Sequence, residues 1–282
     1  MEPAIANAPA TARQTRGSGL ASLIGYGLCV FLLSLFFSLI ATPWLHLPFW
    51  KVFRRCASIS AAVSLWLFIR KVERRSFRSY GFAAPGAGKR QFRFGLLLGL
   101  GVLAVLFGLQ MALGACRIHV TPDLPKLWKV VLGFLPAAIL IGVLGELVFR
   151  GFILQHLMDH SKIFAVVASS GLYAIVPLKS SAVGLAVWLE LGGLFLLGGM
   201  LALSFLLTQQ LYLAVGLHAV LAYGARVNKL LIEFTDPSIA WLVGTSRLVN
   251  GLLSWVVLLI MGGMMVWWVR ASHGGGAHHE HA

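Results

Sequence analysis

Glu146 and Arg150 stand four residues apart in the stretch Gly145-Glu146-Leu147-Val148-Phe149-Arg150-Gly151-Phe152-Ile153, inside a long apolar run. At about 3.6 residues per turn they share one helix face, one turn apart, where an acid and a base can pair. An ionisable side chain in lipid costs about 2.5–3.5 kcal/mol on insertion scales, so such residues face a protein interior or a wet cavity. The chemistry on offer is acid–base work by a sheltered carboxylate, or a purely structural ion pair. His218, alone on a later apolar segment, is a third candidate: a proton carrier or a hydrogen-bonded core residue. Glu190 is a doubtful fourth, since an acid beside Trp188 near a helix start is expected to snorkel to the interface. His156 and His160 flank the end of the Glu146 segment and read as interfacial.

The elements that must hold these residues follow from composition. Of 282 residues, 59% are hydrophobic and 11% charged, where a soluble domain is nearer a quarter charged. In lipid every backbone polar group must be satisfied internally, which points to an all-α, polytopic membrane helical bundle with the lipid bilayer as its partner. A net charge of +14 would suggest nucleic acid in a soluble chain. Here it fits loops facing anionic lipid, and no nucleic-acid partner is expected. Cys29, Cys56 and Cys116 show no CxxC spacing, which argues against a disulfide framework or a cysteine metal site.

Eight apolar segments have about the length a membrane helix needs. They lie near 20–42 (ending at Pro43), 56–69, 94–115, 130–158, 163–178, 185–208, 211–232 and 247–269. Residues 1–19 read as a disordered tail followed by a first membrane helix rather than a cleaved signal. Residues 20–270 read as one membrane domain with its motifs in 130–232. Residues 271–282, with Gly274, His278, His279 and His281, read as a low-complexity tail. Arg70, Lys71, Arg74, Arg75, Arg78, Lys89, Arg90 and Arg93 face one acid, Glu73, between the second and third helices. Such a loop belongs in the cytoplasm, which puts both termini there. Glycines in the third and sixth helices read as sites of close helix packing.

Three segments read together: Glu146 to Gln155, Ser169 to Leu178 with Tyr173, and Leu211 to Ala222 with Gly216-Leu217-His218. In order, spacing and flanks they resemble the CPBP intramembrane protease family, which includes CAAX prenyl endopeptidases and bacteriocin-processing relatives. The resemblance covers about 145–222. It implies a bundle of about eight helices in which EExxxR, FxxxH and HxxxN/D motifs converge. There, acids and histidines activate a water or hold a metal that does so, and a second histidine with its Asn/Asp partner stabilises the oxyanion. It leaves Glu146 and His218 as the retained catalytic candidates with Arg150 in support, Glu146 matching the second acid of the pair while the main water-activating role falls on the first; Tyr173 reads as a supporting hydroxyl in the same cavity or as a packing residue.

The chain departs from that pattern at three positions. Gly145 replaces the first acid, Pro177 the expected histidine, and Ala222 the expected Asn or Asp. Two readings follow. One is an endopeptidase acting on membrane-delivered peptides, with a divalent metal such as zinc if active. The other is a catalytically impaired or non-enzymatic binding or regulatory protein on the same scaffold, with no metal, whose ligand is a hydrophobic or lipidated peptide. Glu146 and His218 alone would give a metal two protein ligands, where catalytic zinc takes three.

Overall fold

The computed structural model describes residues 16–82, 85–177, 184–236, 238–245 and 247–274. Within these the regular structure is helical apart from two three-residue strands. The long helices are α1 (Arg16–Leu45), α2 (Phe49–Leu67), α3 (Pro85–Ala112) and α4 (Leu124–Glu146). After α4 come a π-helical stretch (Leu147–Leu154) and the short α5 (Gln155–Met158) on the same axis, then α6 (Lys162–Ile175), α7 (Leu185–Thr208) and α8 (Tyr212–Leu231). A four-residue helix, α9 (Ala240–Val243), precedes α10 (Leu252–Gly274). The polytopic helical bundle read from composition is the observed fold.

Six helical stretches among the described residues are long and apolar enough to cross a membrane: Gly19–Leu45, Phe49–Val72, Gly88–Ala112, Leu124–Met158, Leu185–Thr208 and Leu252–Ser272. The eight expected segments all appear as helices, but two fall short as independent spans. α6 has only 14 residues, and α8 carries Arg226, Asn228 and Lys229 in its last turns. α8 is buried on nearly every face along Leu213–Leu221, so it needs no lipid-facing apolar surface and can be more polar.

Boundaries shift for identifiable reasons. Pro43 does not stop α1, which runs on to Leu45; near a helix end a missing N–H and a displaced turn matter little. α2 begins seven residues before the expected 56, because Lys51, Arg54 and Arg55 are tolerated in its first turns by reaching outward. Lys89, Arg90 and Arg93 likewise ride on the start of α3, so only Arg74, Arg75 and Arg78 of the eight basic residues lie in irregular or 3₁₀ backbone. α10 reaches Gly274, into the stretch read as a tail. Residues 1–15, Leu178 and the tail histidines lie outside the described residues.

One apolar core is shared by α3, α7, α8 and α10, with Leu106, Leu201, Leu217 and Leu258 fully enclosed. A second joins α2, α6 and the end of α4 through Leu65, Ile69, Phe152, Leu154 and Ala165, with Tyr26 of α1. At one end of the bundle β1 (Cys116–Ile118) pairs antiparallel with β2 (Ile232–Phe234), Arg117 opposite Glu233. This small two-stranded ribbon ties the α3–α4 connection to the end of α8. The Arg117 guanidinium, 2.8 Å from Glu233, holds that carboxyl below its usual range. The opposite end carries the basic 70–93 segment and the tight α7–α8 turn.

Candidate functional site

Close helix approach positions the site. Gly142 of α4 rests on α8: a Cβ there would stand 2.9 Å from the Val215 carbonyl oxygen and 3.2 Å from the Ala219 nitrogen. One turn further, a Cβ on Gly145 would come within 2.9 Å of Cε1 of His218. The two glycines therefore let α4 and α8 close to a distance at which the His218 ring covers Gly145 and reaches the next residue. His218 Nδ1 lies 2.7 Å from Glu146 Oε1. On the other side, Gly198 of α7 packs against the Ser170 backbone of α6. Its carbonyl accepts a 2.7 Å hydrogen bond from Arg150 Nη2.

Glu146 and Arg150 are both fully buried, and Arg150 Nη1 donates to Glu146 Oε1 at 3.2 Å. One carboxylate oxygen thus serves two donors. Glu146 Oε2 and Arg150 Nε have no hydrogen-bond partner among the described residues. The guanidinium also lies over the Tyr173 ring, 4.6 Å from its centroid, and 5.7 Å from that of Phe149; such stacking suits a desolvated cation. Tyr173 in turn meets the His218 ring edge-on at 5.7 Å. Arg150 sits on the π-helical stretch, in which residues 150–154 are buried without interruption. Single π turns inside α-helices recur at functional sites. Glu146, Arg150, Tyr173 and His218 therefore form one connected cluster drawn from α4, its π-helical extension, α6 and α8.

Residues 127–223 match the family model of type II CAAX prenyl endopeptidase Rce1-like proteins. That stretch includes all four members of the cluster. Over that stretch, about a third of its length, the chain is similar to the Rce1-like family. No curated protein and no solved structure matches it.

A carboxylate accepts, so Nδ1 of His218 carries the proton in its bond to Glu146, and Nε2 is the ring's remaining polar atom. His218 lines a cavity of about 300 Å³ shared with Tyr173, Pro177 and Ala222. Two of the three positions at which the chain departs from the motifs it resembles, Pro177 and Ala222, therefore face the same space as its surviving histidine. The donors do not fit a zinc centre. No group of three or more His, Cys, Asp or Glu side chains able to hold a metal occurs among the described residues, and the Arg150 cation lies against the one available carboxylate.

Glu190 does not reach outward as expected from its place beside Trp188. It is 7% exposed, lines the far end of the same cavity, and forms an ion pair with Arg247 of the α9–α10 connection. Burial in an ion pair replaces snorkelling because α7 packs directly on that connection, with Gly193 against the Val249 carbonyl, and on α10, whose Trp255 Nε1 donates to the Leu189 carbonyl at 3.2 Å.

His156 also departs from expectation. It is buried, with Nε2 2.7 Å from Glu73 Oε1 and Nδ1 2.7 Å from the Phe152 carbonyl oxygen. The Tyr80 hydroxyl donates to the other Glu73 oxygen. This second cluster pins the 3₁₀ turn Phe77–Tyr80 onto the end of the π-helical stretch. The partners are 83 residues apart, beyond helical periodicity. The available sequence signal was that Glu73 is the single acid among eight bases. His160 is exposed, as an interfacial residue would be.

Proposed function

We propose that this chain is a ligand-binding member of the Rce1-like family whose hydrolytic machinery has been lost. The observation that carries the reading is the lining of one cavity by His218, Pro177 and Ala222. Water activation needs a base, its partner and an oxyanion donor around one reacting atom. Proline and alanine side chains offer none of these. The space beside Gly145 is taken by the imidazole itself, and Glu146 is engaged by Arg150 and His218. What remains is a half-open, largely apolar cavity of about 300 Å³ between helices, at the small end of the range for ligand pockets. It suits the apolar part of a hydrophobic or lipidated peptide delivered from the bilayer. The 70–93 segment faces the cytoplasm on this reading, with both termini on that side.

The Glu146–His218 contact favours one other reading. A carboxylate-oriented imidazole can take a proton from water through its free nitrogen, which would leave a reduced protease. Titrating purified protein with a fluorescent prenylated peptide separates the two. The expected result is saturable binding without cleavage, weakened at least tenfold by Ala222→Phe, which fills the cavity. Absence of binding, or binding indifferent to Ala222→Phe in a folded protein, would refute the proposal.

A further inference from the structure

Two side chains of the buried cluster bring an unsatisfied polar atom to the cavity. His218 directs Nδ1 to Glu146 Oε1 at 2.7 Å and lays Cε1 over Gly145. Its side chain is nonetheless 13% exposed, so the ring edge carrying Nε2 is the one left open to the cavity it lines. Tyr173 carries the Arg150 guanidinium over its ring at 4.6 Å and meets Phe149 and His218 edge-on at 5.3 and 5.7 Å. It lines the same cavity, and its hydroxyl makes no hydrogen bond among the described residues.

These two atoms select a ligand chemistry. With its Nδ1–H given to Glu146, the neutral imidazole of His218 can only accept at Nε2, while the phenol donates as well as accepts. Beyond them the walls are apolar, with Val102, Leu194, Leu197 and Leu221, for about 10 Å along α8 from His218 to Ala225 at roughly 1.5 Å per residue. The charges that border the cavity are already engaged: Glu146 with Arg150, Glu190 with Arg247, and Lys229 at the rim in an interaction of its own. A charged head would therefore arrive without a counter-ion against apolar walls, at a large desolvation cost. A bare hydrocarbon would displace water from Nε2 and the phenol and leave both unpaired.

Resting on the reading that this cavity takes an apolar ligand, we propose that its inner end is a subsite for an uncharged head that both donates and accepts a hydrogen bond, as the hydroxyl of a long-chain alcohol does. The hydroxyl donates to His218 Nε2 and accepts from the Tyr173 phenol, the two rings lying 5.7 Å apart. The chain runs outward along Leu194, Leu197 and Leu221 towards Glu190 and Arg247, which border the far end as a neutral pair. Glu146 has a further task here: by holding the proton on Nδ1 it keeps Nε2 an acceptor.

The test uses the full chain in phosphatidylcholine nanodiscs, with empty nanodiscs subtracted and probe concentrations expressed per lipid. The probes are radiolabelled decanol, its methyl ether, decanesulfonate and decyltrimethylammonium. Decanol is expected to bind saturably and at least tenfold more tightly than the ether, which accepts but cannot donate to Nε2, and than either charged probe. Tyr173→Phe keeps the ring against Arg150 and should weaken decanol and ether alike, several-fold, leaving their ratio unchanged. Ala222→Phe, which fills the cavity, should abolish the binding of both. Decanol no tighter than its ether or than a charged probe, or decanol binding unchanged in Tyr173→Phe, overturns the hydroxyl subsite and leaves the apolar cavity standing. Failure of every probe to bind saturably, or binding indifferent to Ala222→Phe in a folded protein, overturns both.

Discussion

Replacing Glu146 by glutamine removes one charge and almost no volume, so it isolates the electrostatics of the buried cluster. Glu146 Oε1 accepts from Arg150 at 3.2 Å and from His218 at 2.7 Å. In the variant Arg150 loses its counter-ion and keeps only neutral partners: the amide oxygen at 146, the Gly198 carbonyl at 2.7 Å and the Tyr173 ring at 4.6 Å. A guanidinium cannot shed its proton to escape, and an unpaired buried charge costs about 3–5 kcal/mol. The remaining carbonyl and ring contacts put the expected loss near the lower end of that range, about 3 kcal/mol. For a chain of this size that lowers Tm by roughly 6–12 °C. Arg150→Met should do less harm, about 1–3 kcal/mol, because Glu146 keeps its 2.7 Å hydrogen bond with His218 Nδ1. Glu146→Gln/Arg150→Met should be more stable than Glu146→Gln alone. Thermal unfolding in a neutral detergent, followed by intrinsic fluorescence, reads all three. A Glu146→Gln protein within 2 °C of wild type, or a double variant less stable than either single one, would refute this reasoning.

Restoring the missing acid with Gly145→Glu is expected to give no peptidase activity and to lower Tm, because its Cβ would press on the His218 ring at 2.9 Å; overpacking of this kind costs about 1–3 kcal/mol. Proteolysis gained by that single change would show that only one group was missing. Glu73→Gln should destabilise the protein and increase protease sensitivity in 73–82, since it weakens the ties to His156 and Tyr80; an unchanged digestion pattern would argue that the second cluster does not anchor the turn. A cysteine at the exposed Ser79 should resist an impermeant thiol reagent in intact cells on a cysteine-free background. Rapid labelling there would invert the orientation.

How much was legible in the sequence depended on the range of each interaction. The Glu146–Arg150 pair follows from helical periodicity, because both partners lie on one continuous helical axis. Its meeting with His218 was suggested only by the resemblance, since 72 residues separate Glu146 from His218. The fold class was plain from apolar content, but the number of spans was not. Window length and hydropathy miss that α8 is shielded by neighbouring helices and that α6 is too short to cross alone. The Glu73–His156 and Glu190–Arg247 pairs were misread because snorkelling is the default for a charge near a helix end, and only tertiary packing reveals that the end is covered. The π-helical stretch and the Cys116–Ile118/Ile232–Phe234 strand pair leave no periodic signature in so few residues.

The decisive measurement is mass spectrometry of a prenylated peptide incubated with purified wild-type protein, with Glu146→Gln in parallel. Binding should be seen for the wild type, with the peptide recovered intact over many hours and no divalent-metal dependence. Wild-type cleavage at a defined bond that disappears in a folded Glu146→Gln variant would contradict the loss of catalysis and restore Glu146 and His218 as the working base of a reduced protease.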